Sequence, residues 1–359
     1  MHRRTTATIH LGAIRDNFAL ADNEAPTSKT MAVIKANAYG HGMLEVAAAL
    51  DSCAAAFAVA TLDEAVVLRA AGVDKDILVL EGVNSADGYR EAEADGLTLA
   101  VNSREQVELA LGSGTPTWIK VDTGMHRLGI QPGELGDTLA RLRKASVKAE
   151  VVCTHLACAD DLENAGTPQQ LKTFQSCTDA CGLPRSIANS AGILGWPDSH
   201  AEWNRPGIML YGASPFLSNV AAAADLRPAM TFETEVIALR EIPSGDSVGY
   251  GGRWVARRPS RIATLAAGYA DGYPRHAPDG TPTFVNGQVA PVAGTVSMDM
   301  ITIDVTDNPG VAVGDLVELW GRNIPVAEVA ARAGTISYEL LTGVSSRVPR
   351  RHTSSGSVS

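Results

Sequence analysis

The chain has 359 residues, of which 45% are hydrophobic and 19% charged, and its formal net charge is −10. Such a composition can bury a large core and excludes global disorder, and the length exceeds one ordinary compact domain unless that domain is a barrel. The negative charge argues against nucleic acid or an anionic membrane as the main partner, while a local basic pocket for a small anion is compatible with it.

The N-terminal residues and the cysteines indicate the cellular compartment. The first residues, MHRRTTATIHLGAIRDN, lead into no apolar stretch, and no apolar run reaches membrane-spanning length, so we expect neither a signal peptide nor a membrane span. An odd number of scattered cysteines favours a reduced, cytoplasmic protein. The cysteines are Cys53, Cys153, Cys158, Cys177 and Cys181. Their spacing, also with His155 included, matches no zinc pattern, so we predict buried thiols and no metal.

From residue 31 to 212, β-branched runs alternate with alanine- and leucine-rich stretches of helical period. The eight predicted strands are residues 31–35, 56–61, 76–82, 97–103, 117–124, 149–157, 185–192 and 204–212. Between them lie predicted helices such as TLDEAVVLRAAG (61–72), which has a Thr or Asp cap in front and a glycine behind. Eight such units predict a (β/α)₈ barrel. A doubly wound sheet is the alternative, weakened because no run carries a G-x-G-x-x-G turn.

The pattern changes after residue 213. SPFLSNVAAAADLRP (214–228) resembles a linker, and strands interrupted by Gly and Pro then predict an antiparallel β domain with one late helix around 326–334. We therefore divide the chain into a barrel domain (1–224) and a β domain (225–359). Within the first, residues 1–10 are a candidate strand of the β domain, and we expect the tail 350–359 to be disordered.

In a (β/α)₈ barrel, reactive side chains collect at the carboxyl ends of the strands. The polar and cationic residues predicted there are Lys35, Lys120, His155, Ser190 and Arg205. A single charged residue at a strand end is usually solvated, but several that converge on one barrel mouth indicate a site. Ser190 opens a helix start that suits a phosphate, and Gly207 in RPGI lets backbone approach an anion closely.

A lysine, a phosphate cradle and an arginine together suggest pyridoxal 5'-phosphate, an aldehyde held by its phosphate and by a Schiff base to lysine. Lys35 in MAVIKANAYGHG is the candidate for that lysine, because a strand fixes its position. Gly40 and Gly42 permit a tight exit from the strand, and Tyr39 can give its hydroxyl to the phosphate.

Eight motifs then carry a resemblance to a known family. They are AVIKANAYGHG, KVDTGMHRLG, ANSAG, RPGIMLYG, VGYGGRW, AAGYADGYPRHAP, GTVSMDM and ISYEL, in this order between residues 31 and 338. Together they resemble the alanine racemase family. The resemblance implies a pyridoxal-phosphate-dependent isomerase, in which a (β/α)₈ barrel is followed by a β domain. It also implies a homodimer with shared active sites that supplies D-alanine for peptidoglycan or serves alanine catabolism.

The resemblance assigns the chemistry to particular residues. Lys35 resembles the lysine that binds the cofactor and acts as the base for D-alanine. Tyr250 in VGYGGRW resembles the opposing base for L-alanine, contributed by the other subunit. Arg127 and Met298 resemble contacts of the substrate carboxylate, and Lys120 resembles a lysine that is carbamylated in some members and orients Arg127. The alternative for Lys120 is an unmodified lysine near a carboxylate such as that of Asp122.

The remaining roles concern the cofactor and the route to the site. Arg205 resembles the partner of the pyridine nitrogen, and His155 resembles a residue that buttresses the cofactor and Arg205. The residues that resemble the phosphate shell are Tyr39, Ser190, Gly207, Ile208 and Tyr338. Tyr269 and Asp299 resemble residues near the substrate entrance.

Three other functions compete with this interpretation. A racemase of broader specificity would share the two-domain plan and would need a wider cavity. A decarboxylase of the same barrel class lacks support, because VGYGGRW points to racemisation. A non-catalytic carrier of the cofactor would resemble the barrel alone, whereas residues 225–345 hold Tyr250 and Met298.

Overall fold

The alternating segment folds into a closed barrel of eight parallel strands in the computed structural model, which describes residues 4–216 and 220–354. After β1 (Thr6–His10) and helix α1 (Leu11–Glu24), the barrel strands are β2 (Lys29–Val33), β3 (Ala56–Val59), β4 (Ile77–Val79), β5 (Thr98–Val101), β6 (Thr117–Lys120), β7 (Ala149–Cys153), β8 (Arg185–Ser186) and β9 (Trp203–Asn204). The barrel closes where β2 pairs with β9. The predicted (β/α)₈ architecture is confirmed.

Helical segments connect the barrel strands. They are the single turn α2 (Lys35–Tyr39), α3 (Met43–Leu50), α4 (Leu62–Ala70), α5 (Ala86–Ala94), α6 (Arg104–Ala110), α7 (Leu135–Lys144), α8 (Gly166–Thr178) and α9 (Ser190–Gly195). The predicted cap of α4 is present as a capping box. The Glu64 backbone N–H donates to the Thr61 hydroxyl, and the Glu64 carboxylate accepts from the Thr61 N–H.

The last two barrel strands are much shorter than the sequence predicted. The run 185–192 forms a strand only at β8, because the Asn189 side chain accepts a hydrogen bond from the Gly192 N–H at 2.9 Å and so starts α9. The run 204–212 forms a strand only at its first residue. Pro206 has no N–H for a ladder, and a 3₁₀ helix follows at Ile208–Tyr211. Both chain segments therefore leave the strand pairing early and continue as short helices that begin at Ser190 and Ile208.

A second domain is built on a mainly antiparallel sheet. Its strands and helices are β10 (Met230–Ile242), β11 (Ser247–Val248), β12 (Trp254–Val255), β13 (Ser260–Leu265), β14 (Pro282–Val285), β15 (Gln288–Pro291), β16 (Ile301–Asp304), β17 (Leu316–Trp320), α10 (Val326–Ala333), α11 (Ser337–Gly343) and β18 (Arg350–Thr353). The sheet order is β15-β14-β17-β10-β1-β18, with β13 and β16 attached through β10. The sequence predicted one late helix; α11, only seven residues long, was missed.

The chain termini meet in this sheet. β1 lies between β10, to which it is antiparallel, and β18, to which it is parallel. The prediction that the tail 350–359 is disordered is therefore wrong for Arg350–Thr353, which pair with residues 7–10. Residues 355–359 of that tail, residues 1–3 and part of the linker (217–219) lie outside the described residues. In the part of the chain that the structure describes, no helix is both long and apolar enough to cross a membrane.

Candidate active site

A cavity of about 730 Å³ lies at the carboxyl ends of the barrel strands, a size typical of small-molecule sites. Ten of the residues singled out in the sequence line it: Lys35, Tyr39, Lys120, Arg127, His155, Ser190, Arg205, Gly207, Ile208 and Tyr338. Nine of them come from the barrel segment, and Tyr338 comes from α11 of the second domain. The barrel mouth is thus one polar and cationic site to which both domains contribute.

The sequence predicted Lys35 at the end of a strand. In the structure β2 ends at Val33, and Lys35 is the first residue of the single turn α2. This turn is left-handed, because four successive residues from Ala36 to Tyr39 have φ between 52° and 53°. Such a conformation costs an L-residue about 1–2 kcal/mol. Side chains hold it: the Ala36 N–H donates to the Glu64 carboxylate at 2.6 Å, and the Met43 N–H donates to the Asn37 side chain at 2.9 Å.

The electrostatic surroundings favour an uncharged amine at Lys35. Burial lowers the pKa of Lys35, and the positive charge of Arg127 lowers it further, whereas Glu81 and Glu64 act in the opposite direction. A lowered pKa raises the fraction of neutral amine at neutral pH, which is the form that can act as nucleophile or base.

Backbone and hydroxyl groups gather around Ser190. Its hydroxyl accepts hydrogen bonds from the N–H groups of Gly207, at 2.9 Å, and Met209, at 3.3 Å, so its own proton can be donated into the cavity. A Cβ at Gly207 would lie 2.6 Å from the Tyr39 hydroxyl, too close for any side chain. The glycine keeps open a space bordered by the Tyr39 and Ser190 hydroxyls, and this space suits an anionic group.

The Tyr39 ring lies between two other tyrosine rings. It stacks on Tyr211 at 4.7 Å between centroids, and Tyr338 is tilted against it at 6.0 Å. Burial raises the pKa of Tyr39, and burial also raises the pKa of Tyr338 to about 12. Both hydroxyls therefore stay protonated at neutral pH and can donate hydrogen bonds to an anion.

Arg205 is buried in the wall of the cavity. Its guanidinium donates to the carbonyl oxygens of Thr154, at 2.6 Å, and Ile187, at 3.3 Å, and to the Ser186 hydroxyl. Burial lowers the pKa of the neighbouring His155 well below its usual value, and the positive charge of Arg205 lowers it further. His155 is thus a neutral imidazole at neutral pH.

Lys120 also lines the cavity among cations. Burial lowers its pKa, and the charges of Arg205 and Arg127 lower it further, whereas Cys153 and Asp122 act in the opposite direction. Asp122, the neighbouring carboxylate, instead accepts three backbone N–H groups, including that of His126 at 3.0 Å. Across residues 4–216 and 220–354, no carboxylate lies within ion-pair distance of Lys120, but Asp122 is near enough to act on its pKa, so the unmodified lysine near Asp122 stays an alternative to the carbamylated one.

Four residues from the sequence analysis do not line this cavity: Tyr250, Met298, Tyr269 and Asp299. All four lie in the second domain. The side chain of Tyr250 is 71% exposed and that of Met298 53%, which is unusual for large apolar residues. Asp299 forms an ion pair with Arg347 at 2.6 Å. Exposed at a glycine-rich turn, Tyr250 carries no local sequence signal of function, and only the family motif pointed to it.

Sequence reasoning missed other residues of the cavity wall. Glu81 and Glu339 contribute its acidic side chains, and Leu128 and Thr342 contribute apolar and hydroxyl surface. Glu81 lies two residues after the end of β4, so reading every strand end would have found it. Glu339 and Thr342 belong to the undetected helix α11. No group of three or more His, Cys, Asp or Glu side chains suited to a metal ion occurs within the described residues.

The fold and the site define a class of proteins: a parallel barrel followed by a β domain, with a lysine, several hydroxyls and two arginines at a mouth that suits small anionic ligands. Family models narrow the class: residues 9–215 match "Alanine racemase, N-terminal domain" and residues 229–352 match "Alanine racemase, C-terminal domain". The chain belongs to the alanine racemase family, a family of isomerases.

Full-length relatives and solved structures agree with this assignment. The chain is 46% identical over 354 residues to the alanine racemase of Alteromonas mediterranea, covering 98% of this chain and 99% of the relative. It is similar to the crystal structure of the biosynthetic alanine racemase of Pseudomonas aeruginosa, with a TM-score of 0.94, 48% identity and coverage of 98% and 99%. A Bartonella henselae alanine racemase solved with covalently bound pyridoxal phosphate has a TM-score of 0.90, 31% identity and coverage of 98% and 99%.

Proposed function

We propose that this chain interconverts L-alanine and D-alanine with pyridoxal 5'-phosphate bound at the barrel mouth, as a homodimer that shares its active sites. The observation that carries the proposal is the position of Lys35: a partly buried amine with a lowered pKa lines a cavity that also holds Lys120, Arg127 and Arg205. These cations suit a ligand phosphate and a substrate carboxylate.

The residues present fit the cofactor. The space kept open by Gly207 would take the phosphate, with donors from Ser190, Tyr39 and Tyr338 and backbone near Ile208. Lys35 would form the covalent link. When bound, the cofactor withdraws electrons from the substrate Cα and so acidifies its C–H bond.

Arg205 would face the ring nitrogen of the cofactor. A guanidinium can only donate, so the nitrogen opposite it stays an unprotonated acceptor. Neutral His155 would support Arg205 and the cofactor without adding a charge, since burial and nearby cations lower the pKa of its imidazole. This arrangement would limit electron withdrawal into the ring and so disfavour side reactions such as transamination.

Racemisation needs a base on each face of the substrate Cα. Lys35 would remove and return the proton on the D face, and Tyr250 of the partner subunit would do so on the L face. The exposure of Tyr250 and Met298 supports a shared site, because large apolar side chains on a surface often mark an interface. Arg127 would bind the substrate carboxylate together with the backbone of the partner subunit's Met298, with Tyr269 and Asp299 near the entrance.

We further propose that Lys120 is carbamylated. A carbamate is anionic, so it would pair with Arg127 and orient it, whereas an ammonium would repel it. The five free thiols favour a reducing compartment, so the proposal includes a cytoplasmic location.

The two-base assignment is tested by hydrogen exchange in heavy water. The alanine enantiomers are equal in free energy, so a mutation lowers kcat/KM equally in both directions and rates cannot assign the faces. The Tyr250→Phe variant should racemise alanine about 10²–10⁴-fold more slowly than the parent, the usual effect of removing a general acid–base. Lys35 should still exchange the proton of D-alanine without changing its configuration.

Chiral separation followed by mass spectrometry gives the readout. D-alanine that gains deuterium while L-alanine stays unlabelled supports the assignment of both faces. Equal labelling of the two enantiomers, or labelling of L-alanine alone, contradicts it. A panel of other L-amino acids in the same assay measures whether the specificity is broader than alanine.

A further inference from the structure

The left-handed turn that begins at Lys35 is in contact with the C-terminal strand β18. The two segments are separated by 310 residues in sequence, yet Arg350 Nε donates to the carbonyl oxygen of Gly40 at 2.6 Å. His352 Nε2 lies 2.8 Å from the carbonyl oxygen of His41, and since a carbonyl only accepts, the imidazole donates. β18 thus binds two successive carbonyls at the end of the turn.

Arg350 connects the turn to the loop between α11 and β18. Besides Gly40, its guanidinium donates to the carbonyls of Val344, at 2.7 Å, Ser345, at 3.3 Å, and Val348, at 3.3 Å. No other residue type offers five donors in a rigid planar group, so no other side chain can satisfy all four carbonyls.

The glycines of the turn make this approach possible. Gly40 and Gly42 both have positive φ, 84° and 98°. A Cβ at Gly40 would lie 2.2 Å from the Leu341 carbonyl oxygen, and a Cβ at Gly42 would lie 2.6 Å from His352 Nε2. The YGHG stretch is therefore shaped to receive α11 and β18, as well as to reverse the chain.

The other side of the turn is held by an aromatic stack. The Tyr211 ring lies between those of Tyr39, at 4.7 Å, and His41, at 4.6 Å, and the Tyr211 hydroxyl donates to the Val33 carbonyl at 2.9 Å. The turn is therefore packed between the barrel, through Tyr211, and the second domain, through β18.

We infer that β18 holds the left-handed turn in place through Arg350 and His352, which are positioning residues for Lys35. We call this pair of contacts the clasp. A run of four L-residues at positive φ is unfavourable in isolation, so it persists only where its surroundings fix it. The clasp supplies contacts that a right-handed turn would lose, and it thereby fixes the direction of Lys35 and Tyr39. The inference rests on the proposed role of Lys35.

The test compares Arg350→Ala with Arg351→Ala. Arg351 is the next residue of the same strand, is exposed, and points to the opposite face, so it is a matched control. Arg350→Lys keeps the positive charge but not the planar group of five donors. If Arg350→Ala does not fold, Arg350→Lys is compared with Arg351→Ala instead. All variants are measured at a temperature where each is fully folded.

The first readout uses the protein without cofactor. Amide hydrogen exchange is followed at Gly40, His41 and Gly42, whose N–H groups donate to carbonyls within the turn. We expect exchange there to be about tenfold faster in Arg350→Ala and unchanged in Arg351→Ala. Unchanged exchange in Arg350→Ala overturns the clasp, whatever reaction the protein catalyses.

The second readout uses the loaded enzyme. Because a displacement of about 1 Å can cost about 10²-fold, kcat should fall by about that factor in Arg350→Ala, with KM within about twofold and an intermediate kcat in Arg350→Lys. A parental kcat in Arg350→Ala, or an equal loss in Arg351→Ala, overturns the positioning role. A parent protein without racemase activity instead contradicts the proposed function and leaves the exchange result standing.

Discussion

Replacing His41 by asparagine should remove much of the acid sensitivity of folding. His41 is fully buried, and burial lowers its pKa from 6.5 to about 4, although hydrogen bonds to the Tyr39 and Ala38 carbonyls act against this. Its Nε2 has no hydrogen-bond partner within the described residues. Protonation would place an uncompensated charge inside the clasped turn, so the folded protein resists it.

The direction and size of the effect follow from the two pKa values. Between about pH 6.5 and pH 4 the unfolded chain binds a proton at His41 that the folded chain does not. The free energy of unfolding is therefore unaffected above pH 6.5 and decreases as the pH falls through this window. Across the full window the free energy of unfolding decreases by roughly 3 kcal/mol per chain, and roughly 2 kcal/mol of this decrease has occurred by pH 5.

Urea unfolding of the cofactor-free protein at pH 7 and pH 5 measures the effect. Burial also lowers the pKa values of His155 and His10, so the comparison is the difference between variant and parent. His41→Asn should lose about 2 kcal/mol less than the parent between the two pH values, whereas the control His276→Gln, at an exposed site, should lose as much as the parent. Equal losses in His41→Asn and the parent would refute the reasoning.

Three further predictions concern the proposed site. Mixing inactive Lys35→Ala and Tyr250→Phe subunits should restore activity, and no recovery after verified subunit exchange would mean that both bases come from one chain. Labelled bicarbonate should give a carbon-13 carbamate signal that Lys120→Ala abolishes; a parent without the signal has an unmodified lysine. Gly207→Ala should weaken cofactor binding by at least about tenfold in an absorbance titration, because its Cβ would lie 2.6 Å from the Tyr39 hydroxyl; unchanged affinity contradicts the phosphate assignment.

The sequence predicted the barrel because alternation of buried strands with amphipathic helices is a local pattern repeated eight times. It did not predict where the last strands end. Asn189 stops one by capping a helix, and Pro206 stops the other by lacking an N–H. Both residues can be read from the sequence. An apolar run has the same pattern in a strand as in a short buried helix, however, so the pattern predicted strands that were too long.

The tail was mispredicted for a different reason. RRHT is polar and short, and nothing local distinguishes it from a disordered end. It becomes a strand because its backbone pairs with β1 near the other end of the chain, and the side chains of Arg350 and His352 also bind carbonyls 310 and 311 residues away in sequence. Contacts between segments so far apart in sequence leave no local pattern. The same holds for Tyr338, whose helix α11 is fixed against the turn only in the folded protein.

The lowered pKa of Lys120 bears directly on its proposed modification. A carbamate forms when a neutral amine attacks carbon dioxide and releases a proton, so an ordinary lysine, charged at neutral pH, reacts poorly. Burial and the charges of Arg205 and Arg127 lower the pKa of Lys120 and so increase the reactive form. The same two arginines would then stabilise the anionic product, because they repel an ammonium at Lys120 but attract a carbamate there. One arrangement of charges therefore favours both the reaction and its product, and the resulting anion offsets part of the positive charge around Lys35.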